Sequence, residues 1–208
     1  MARHEQPMQT LTAFLPDNSY GYVTEYLHRY GVHLTISKAR SSILGDYRNA
    51  YADKNHRISI NGNLNKYSFL ITLLHELAHL LTFERYRHNV TAHGKEWKTI
   101  YGNLLSVFTE HNIFPTDIKE ALLQSLQNPA ASSCAEEDLM RVLLRYDVQK
   151  EDIYLLEQLP ENAIFITKDG RQFIKGNRLR KRYRCKELAT GALYLFSPVY
   201  EVKPVTQS

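Results

Sequence analysis

The sequence predicts an α+β protein: a small sheet packed on a metal-binding helix, then further helices, then a small antiparallel β lobe. Three observations predict it. Residues 67–87 are apolar on most sides, contain no Pro or Gly, and carry His75, Glu76 and His79. Short alternating segments precede that run at 32–36 and 56–61. After Ala163 the texture changes to short apolar runs separated by Gly-containing turns.

Residues 1–8 read as a loose tail. Residues 10–15 are short and apolar, and Pro16-Asp17-Asn18-Ser19 has turn and cap chemistry. Residues 20–30 form an amphipathic helix through Tyr22, Val23, Tyr26, Leu27 and Tyr30, ended by Gly31. At that spacing the tyrosines read as core rather than as a surface for stacking bases. Residues 32–36 are a strand with His33 on its polar phase, and 56–61 are a second strand. Between them, Lys38-Ala39-Arg40-Ser41-Ser42 opens a loop that runs through Gly45-Asp46-Tyr47. An edge strand of this sheet could pair with an extended substrate backbone; the sequence does not say which.

Asn65 is placed to cap the helix that follows. His75 and His79 are four residues apart, so on a helix both imidazoles lie on one face, with Glu76 beside them. This is the H-E-x-x-H pattern of zinc hydrolases. Burying two His and a Glu in so apolar a helix is costly unless something satisfies them. A catalytic zinc takes three protein ligands and keeps one open position. His93, next to Gly94, is the candidate third ligand. His88 falls on the opposite face if the helix continues at about 100° per residue, and Glu84 and Glu96 are carboxylate alternatives. The metzincin extension is missing: Thr82 and Arg85 stand where it needs Gly and His.

Residues 95–108 form a helix through Trp97, Ile100, Tyr101, Leu104, Leu105 and Phe108, with Trp97 in the core beneath the site. Residues 117–127 form a shorter helix capped by Thr116, and 128–133 are a linker. Residues 136–146 are helical, with Cys134 structural near the cap, and 153–159 add a short helix. Four strands follow near 163–166, 172–174, 179–185 and 193–196. Turns fall at Asp169-Gly170, Gly176-Asn177 and Thr190-Gly191. Residues 168–186 hold nine basic side chains against the single acid Asp169. Alternation along a strand would place Arg180, Arg182 and Arg184 on one face. Arg178, Arg180, Lys181, Arg182 and Arg184 are the candidate phosphate contacts. The competing reading is a solvated edge kept basic against aggregation.

At 208 residues the chain is one domain or one and a half, and a net charge of +4 is too mild to identify a partner. Two cysteines, Cys134 and Cys185, exclude a disulfide framework and fit a reducing compartment. Residues 1–9 are polar, without the apolar core of a secretory signal, and no apolar run is long enough to span a bilayer. The expectation is a soluble cytoplasmic protein, with nucleoid association as an option and oligomeric state left open.

Between about residues 11 and 105 the chain resembles the SprT-like zinc metalloprotease family, which includes the Spartan proteases of DNA–protein crosslink repair. The matching residues are His75-Glu76-Leu77-Ala78-His79, His93-Gly94-x-x-Trp97, Arg57-Ile58-Ser59-Ile60-Asn61, Asn63-Leu64-Asn65, and Arg40 with Gly45-Asp46-Tyr47. The resemblance implies a zincin-like fold and one Zn2+ per chain on His75, His79 and His93. It also implies Glu76 as catalytic acid–base, and a protein substrate bound or crosslinked to DNA. Many relatives carry a cysteine zinc ribbon after the protease domain; here Cys185 is the single cysteine of the lobe. The expected domains are 1–128, the protease; 129–160, linker and helices; and 161–208, a basic β lobe like a degenerate ribbon. Hydrophobic packing of Ile164, Phe165, Ile166, Phe173, Ile174, Leu179, Leu193, Leu195 and Phe196, leaning on the helices at 136–159, would hold that lobe. The alternative function is a nucleic-acid-associated binding protein with a structural or weakly active metal site.

Overall fold

In the computed structural model the described residues are 6–40, 42–125, 134, 136–148 and 151–205. They fall in two compact units, Met1–Asp147 and Val148–Ser208. The expected linker at 128–133, and with it the expected boundary after residue 128, lies outside the described residues.

In the first unit, a 3-10 turn (Met8–Ala13) leads into helix α1 (Tyr20–Arg29), strands β1 (His33–Ser37), β2 (Gly45–Arg48) and β3 (Arg57–Asn61), and helix α2 (Lys66–Tyr86). Helices α3 (Lys95–Glu110), α4 (Thr116–Ser125) and α5 (Glu137–Leu143) complete it. The sheet order is β1-β3-β2. β1 runs parallel to β3, Ile36 beside Ile60, and β2 runs antiparallel to it, Tyr47 beside Ile58. The residues of β2 were expected as loop. They form a strand because Arg40 and the buried Asn61 clasp the preceding loop. Arg40 Nε donates to Asn61 Oδ1 at 2.8 Å, and Asn61 Nδ2 donates to the carbonyls of Arg40 and Ile43 at 3.2 and 3.0 Å.

Helix α2 is the centre of the core. Phe69, Leu70, Ile71, Leu73, Leu74, Leu77, Ala78 and Leu80 have no accessible surface. Burying each large apolar side chain stabilises by about 1.5–3 kcal/mol, which explains how the helix tolerates polar groups on its remaining face. Asn65 caps it as expected, its side chain accepting from Ser68 N–H at 2.9 Å. The same amide donates to Asp147 Oδ1 at 2.6 Å and to the Leu143 carbonyl at 3.1 Å. Tyr26 in α1 and Tyr30 just after it pack on the core, while Tyr22 is partly exposed and stacks on His111. Cys134 is buried, and burial pushes its thiol up to about 12. Among the described residues no helix is long and apolar enough to cross a membrane.

The second unit is one antiparallel sheet. Its strands are β4 (Tyr154–Leu155), β5 (Ile164–Ile166), β6 (Gln172–Leu179), β7 (Arg182–Glu187), β8 (Leu193–Phe196) and β9 (Glu201–Pro204), in the order β4-β9-β5-β6-β7-β8. Its buried cluster is Leu156, Leu159, Phe165, Phe173, Cys185, Phe196 and Val202. Phe165 stacks on Phe173 at 5.6 Å, and Phe196 meets Phe173 edge-on at 4.9 Å. Three expectations change here. Leu179, Leu193 and Leu195 are exposed rather than core. Gly176 lies inside β6, where the register with β7 shifts, so the turn falls at Arg180-Lys181 instead. Of the 136–159 stretch, Leu156 and Leu159 enter this core, whereas α5 packs into the first unit through Leu139 and Leu143.

Candidate metal centre

Thr72, His75, Glu76 and His79 share one face of α2 because they are three and four residues apart. Strand β2 covers part of that face. A Cβ on Gly45 would stand 2.6 Å from Glu76 Oε1 and 2.7 Å from Thr72 Cγ2, so any larger residue there would displace one of these side chains. Tyr47, two residues on, points the same way. Its ring lies parallel to that of His79, with 6.5 Å between centroids.

The third imidazole arrives from the segment between α2 and α3. Arg87 leaves α2 with φ 54°, and His93 itself has φ 57°. The left-handed region costs a non-glycine residue roughly 1–2 kcal/mol, and such strain concentrates at functional positions. Gly94 then opens α3; a Cβ there would come 2.8 Å from the Thr91 carbonyl. Trp97, in the first turn of α3, is fully buried beneath the three rings. Its centroid is 4.7 Å from His75, 5.3 Å from His79 and 4.7 Å from His93.

His75, His79 and His93 each offer a ring nitrogen within 4.8 Å of the others. The Nε2 atoms of His75 and His93 are 3.3 Å apart. Two nitrogens bound at 2.0–2.1 Å to one tetrahedral zinc stand about 3.3 Å apart, so that spacing fits the ion. Buried His75 Nδ1 and Trp97 Nε1 have no hydrogen-bond partner among the described residues. Burial, with help from neighbouring imidazoles, lowers His75 to about 3 and His79 to about 4, and burial also lowers His93. All three rings are therefore neutral at pH 7 and have lone pairs to give. Burial raises the Glu76 carboxyl to about 8; Asp46 adds to the rise and Arg40 opposes it.

The alternatives considered from sequence lie elsewhere. His88 is exposed and edges onto the Phe83 ring at 5.2 Å. Glu84 pairs with His56 at 3.3 Å and with Arg87 at 3.0 Å. Glu96 is not in the metal-competent group. Sequence reasoning missed a polar chain beside the site. The buried His56 receives the Ala50 N–H at its Nδ1 (3.2 Å), which leaves its proton on Nε2, facing Glu84. Tyr47 then donates its hydroxyl to the same Nδ1 at 2.9 Å. The one sequence signal was a Tyr next to the Gly45-Asp46 pair. The candidate phosphate contacts are not part of this site. Arg178, Arg180, Lys181, Arg182 and Arg184 are exposed on the β6–β7 hairpin of the second unit. Arg180 sits in the turn with φ 27°, so Arg182 and Arg184 share a strand face without it.

Residues 16–118 match the SprT-like family. They form a SprT-like domain. The span runs from before α1 into α4 and holds the whole β1-β3-β2 sheet and all three histidines. SprT-like proteins are in general zinc metallopeptidases. The donor set here, three neutral imidazoles beside a buried carboxyl, suits that metal. No curated protein and no solved structure gives a significant match to the chain.

Proposed function

We propose that the SprT-like domain is a zinc-dependent peptidase in which His75, His79 and His93 hold the metal and Glu76 is the acid–base. The observation that carries this is the convergence of three ring nitrogens within 4.8 Å on a helix whose Glu76 carboxyl is itself buried beside them. A zinc ion there supplies a Lewis acid that polarises a peptide carbonyl and brings the pKa of water toward neutrality. Glu76 accepts a proton from the attacking water and returns it to the leaving amine. Strand β2 pairs only with β3 among the described residues, so its far edge is open to an extended substrate backbone, which would pass over Glu76 at Gly45. Tyr47, hydrogen-bonded to His56, lays its ring parallel to that of His79. A structural zinc would take a fourth protein ligand; here a proton-transferring carboxyl stands next to three.

For the substrate we propose protein held on or crosslinked to DNA. The resemblance to Spartan proteases supports this, as do the exposed Arg178, Arg180 and Lys181 at the tip of the β6–β7 hairpin, which suit phosphate. The test is to incubate the purified protein with a DNA-binding protein, with and without DNA and with and without a chelator. Cleavage that needs the metal and rises with DNA is expected. Cleavage indifferent to the chelator would overturn the peptidase reading; metal-dependent cleavage indifferent to DNA would overturn only the substrate class.

A further inference from the structure

We propose that the open edge of β8 is a docking site for an extended, acidic and apolar segment of a protein partner, which adds to the second unit's sheet as another strand. This does not depend on the peptidase reading. β8 is last in the sheet and, among the described residues, pairs only with β7. The Glu187 N–H donates to the Ala192 carbonyl at 2.8 Å. Opposed pairs in an antiparallel ladder alternate between hydrogen-bonded and non-hydrogen-bonded. In that register Cys185 with Tyr194 is a bonded pair, whereas Lys186 with Leu193 and Arg184 with Leu195 are not. The N–H and C=O groups of Leu193 and Leu195 therefore face the open edge, and they have no backbone partner among the described residues.

Natural edges are guarded by charges, prolines or bulges. β8 reads Leu-Tyr-Leu-Phe and has none of these. Leu193 is 63% exposed, Leu195 54% and Tyr194 37%. The charge is one strand away. Arg182, Arg184 and Lys186 project from the face of β7 that carries Leu193 and Leu195 on β8, and none of them has an ion-pair partner among the described residues. Beside them a concavity of about 400 Å3 is lined by Leu179, Arg180, Lys181, Arg182 and Leu195.

Each feature specifies part of the occupant. The unclaimed backbone groups ask for an extended chain. Leu193 and Leu195 ask for apolar contact. The unpaired cations, about two strand spacings from an added strand, ask for long acidic side chains that reach across the leucines. Nucleic acid would answer the cations alone; bases stack on aromatic rings, and the exposed apolar groups on this face are leucines.

The probe is an acetylated peptide of about eight residues alternating valine and glutamate, added to the full chain, with amide exchange followed residue by residue. Saturable binding that slows exchange at Leu193 and Leu195 is expected. The same peptide N-methylated at alternate residues keeps its charge but loses its strand-pairing N–H groups, and should bind at least roughly tenfold more weakly. Arg184→Gln with Lys186→Gln should weaken binding and flatten its salt dependence. Equal affinity for both peptides, no saturable binding, or unchanged exchange at the two leucines would overturn the proposal. Duplex DNA protecting those same amides would overturn it too, and give the edge to nucleic acid.

Discussion

The backbone of Gly45 lies against the carboxylate of Glu76, with room for no side chain between them: a Cβ on Gly45 would stand 2.6 Å from Glu76 Oε1. Ordinary contacts are longer by almost an ångström, so strand β2 and Glu76, the proposed acid–base, are packed hard against each other.

Gly45→Ala should therefore push β2 and Glu76 apart while leaving the histidines in place. Overpacking of this kind costs about 1–3 kcal/mol. The variant should keep its zinc and lose at least roughly tenfold in kcat/KM, since misplacing a reacting group by about an ångström is enough. Full activity in a zinc-loaded Gly45→Ala protein would show that β2 does not set the position of Glu76.

Metal affinity should separate His93 from its neighbours. His93→Ala should weaken zinc binding roughly a hundredfold or more, while His88→Ala should bind as the parent does. Trp97, the only tryptophan of the chain, touches all three rings, so its emission should change on zinc loading and titrate with the metal. Undiminished binding by His93→Ala would remove it from the ligand set.

Without metal, stability should peak near pH 6.5. His75 and His79 are lowered from 6.5 to about 3 and about 4, so the unfolded chain binds their protons first, and stability falls as pH drops below 6.5. Glu76 is raised from 4.5 to about 8, so the folded chain holds its proton longer, and that contribution is lost as pH rises through 8. Between pH 6.5 and 8 the loss approaches about 1.4 kcal/mol per unit. Metal-free Glu76→Gln should escape it and be more stable than the parent at pH 8, by about 2 kcal/mol or more. Urea unfolding of both proteins at pH 6.5 and 8 measures this; parallel behaviour would contradict the buried environment assigned to Glu76.

The parts of this account legible in the sequence were those set by local period. The α2 run, its Asn65 cap and the pairing of His75 with His79 follow from apolar spacing and the four-residue interval. His93 was legible as a candidate because Gly94 adjoins it, although the strained φ is at His93 itself. Strand β2 was not legible. Gly-Asp-Tyr-Arg has no apolar alternation, and it is a strand because the Arg40–Asn61 clasp delivers it to β3. The Tyr47–His56–Glu84 chain was hidden for a related reason, since the β2–β3 register brings Tyr47 to His56 and the packing of α2 on the sheet brings Glu84. In the second unit the hydrophobic count was readable but its sides were not. Leu193 and Leu195 fall on the outer face once Phe196 is fixed inside, and a glycine that reads as a turn sits at a register shift.

The second unit should stand without zinc. Its core holds one cysteine among aromatic and aliphatic side chains, and the Lys175 ammonium fills the interior beneath the Tyr183 ring while donating to the Leu159 carbonyl. Chelation should leave its amide protection intact. Cys185→Ala should cost about 1 kcal/mol and leave metal content at one zinc per chain. Collapse of protection on chelation would mean that a second metal holds the lobe.

The most direct test of the central claim is Glu76→Gln assayed for zinc content and proteolysis in the same preparation. The substitution preserves shape but cannot accept a proton. One zinc per chain with proteolysis reduced to the level of the chelated parent is the expected result. Proteolysis at the parent's rate in the zinc-loaded variant would contradict Glu76 as the acid–base and, with it, the mechanism proposed for the site.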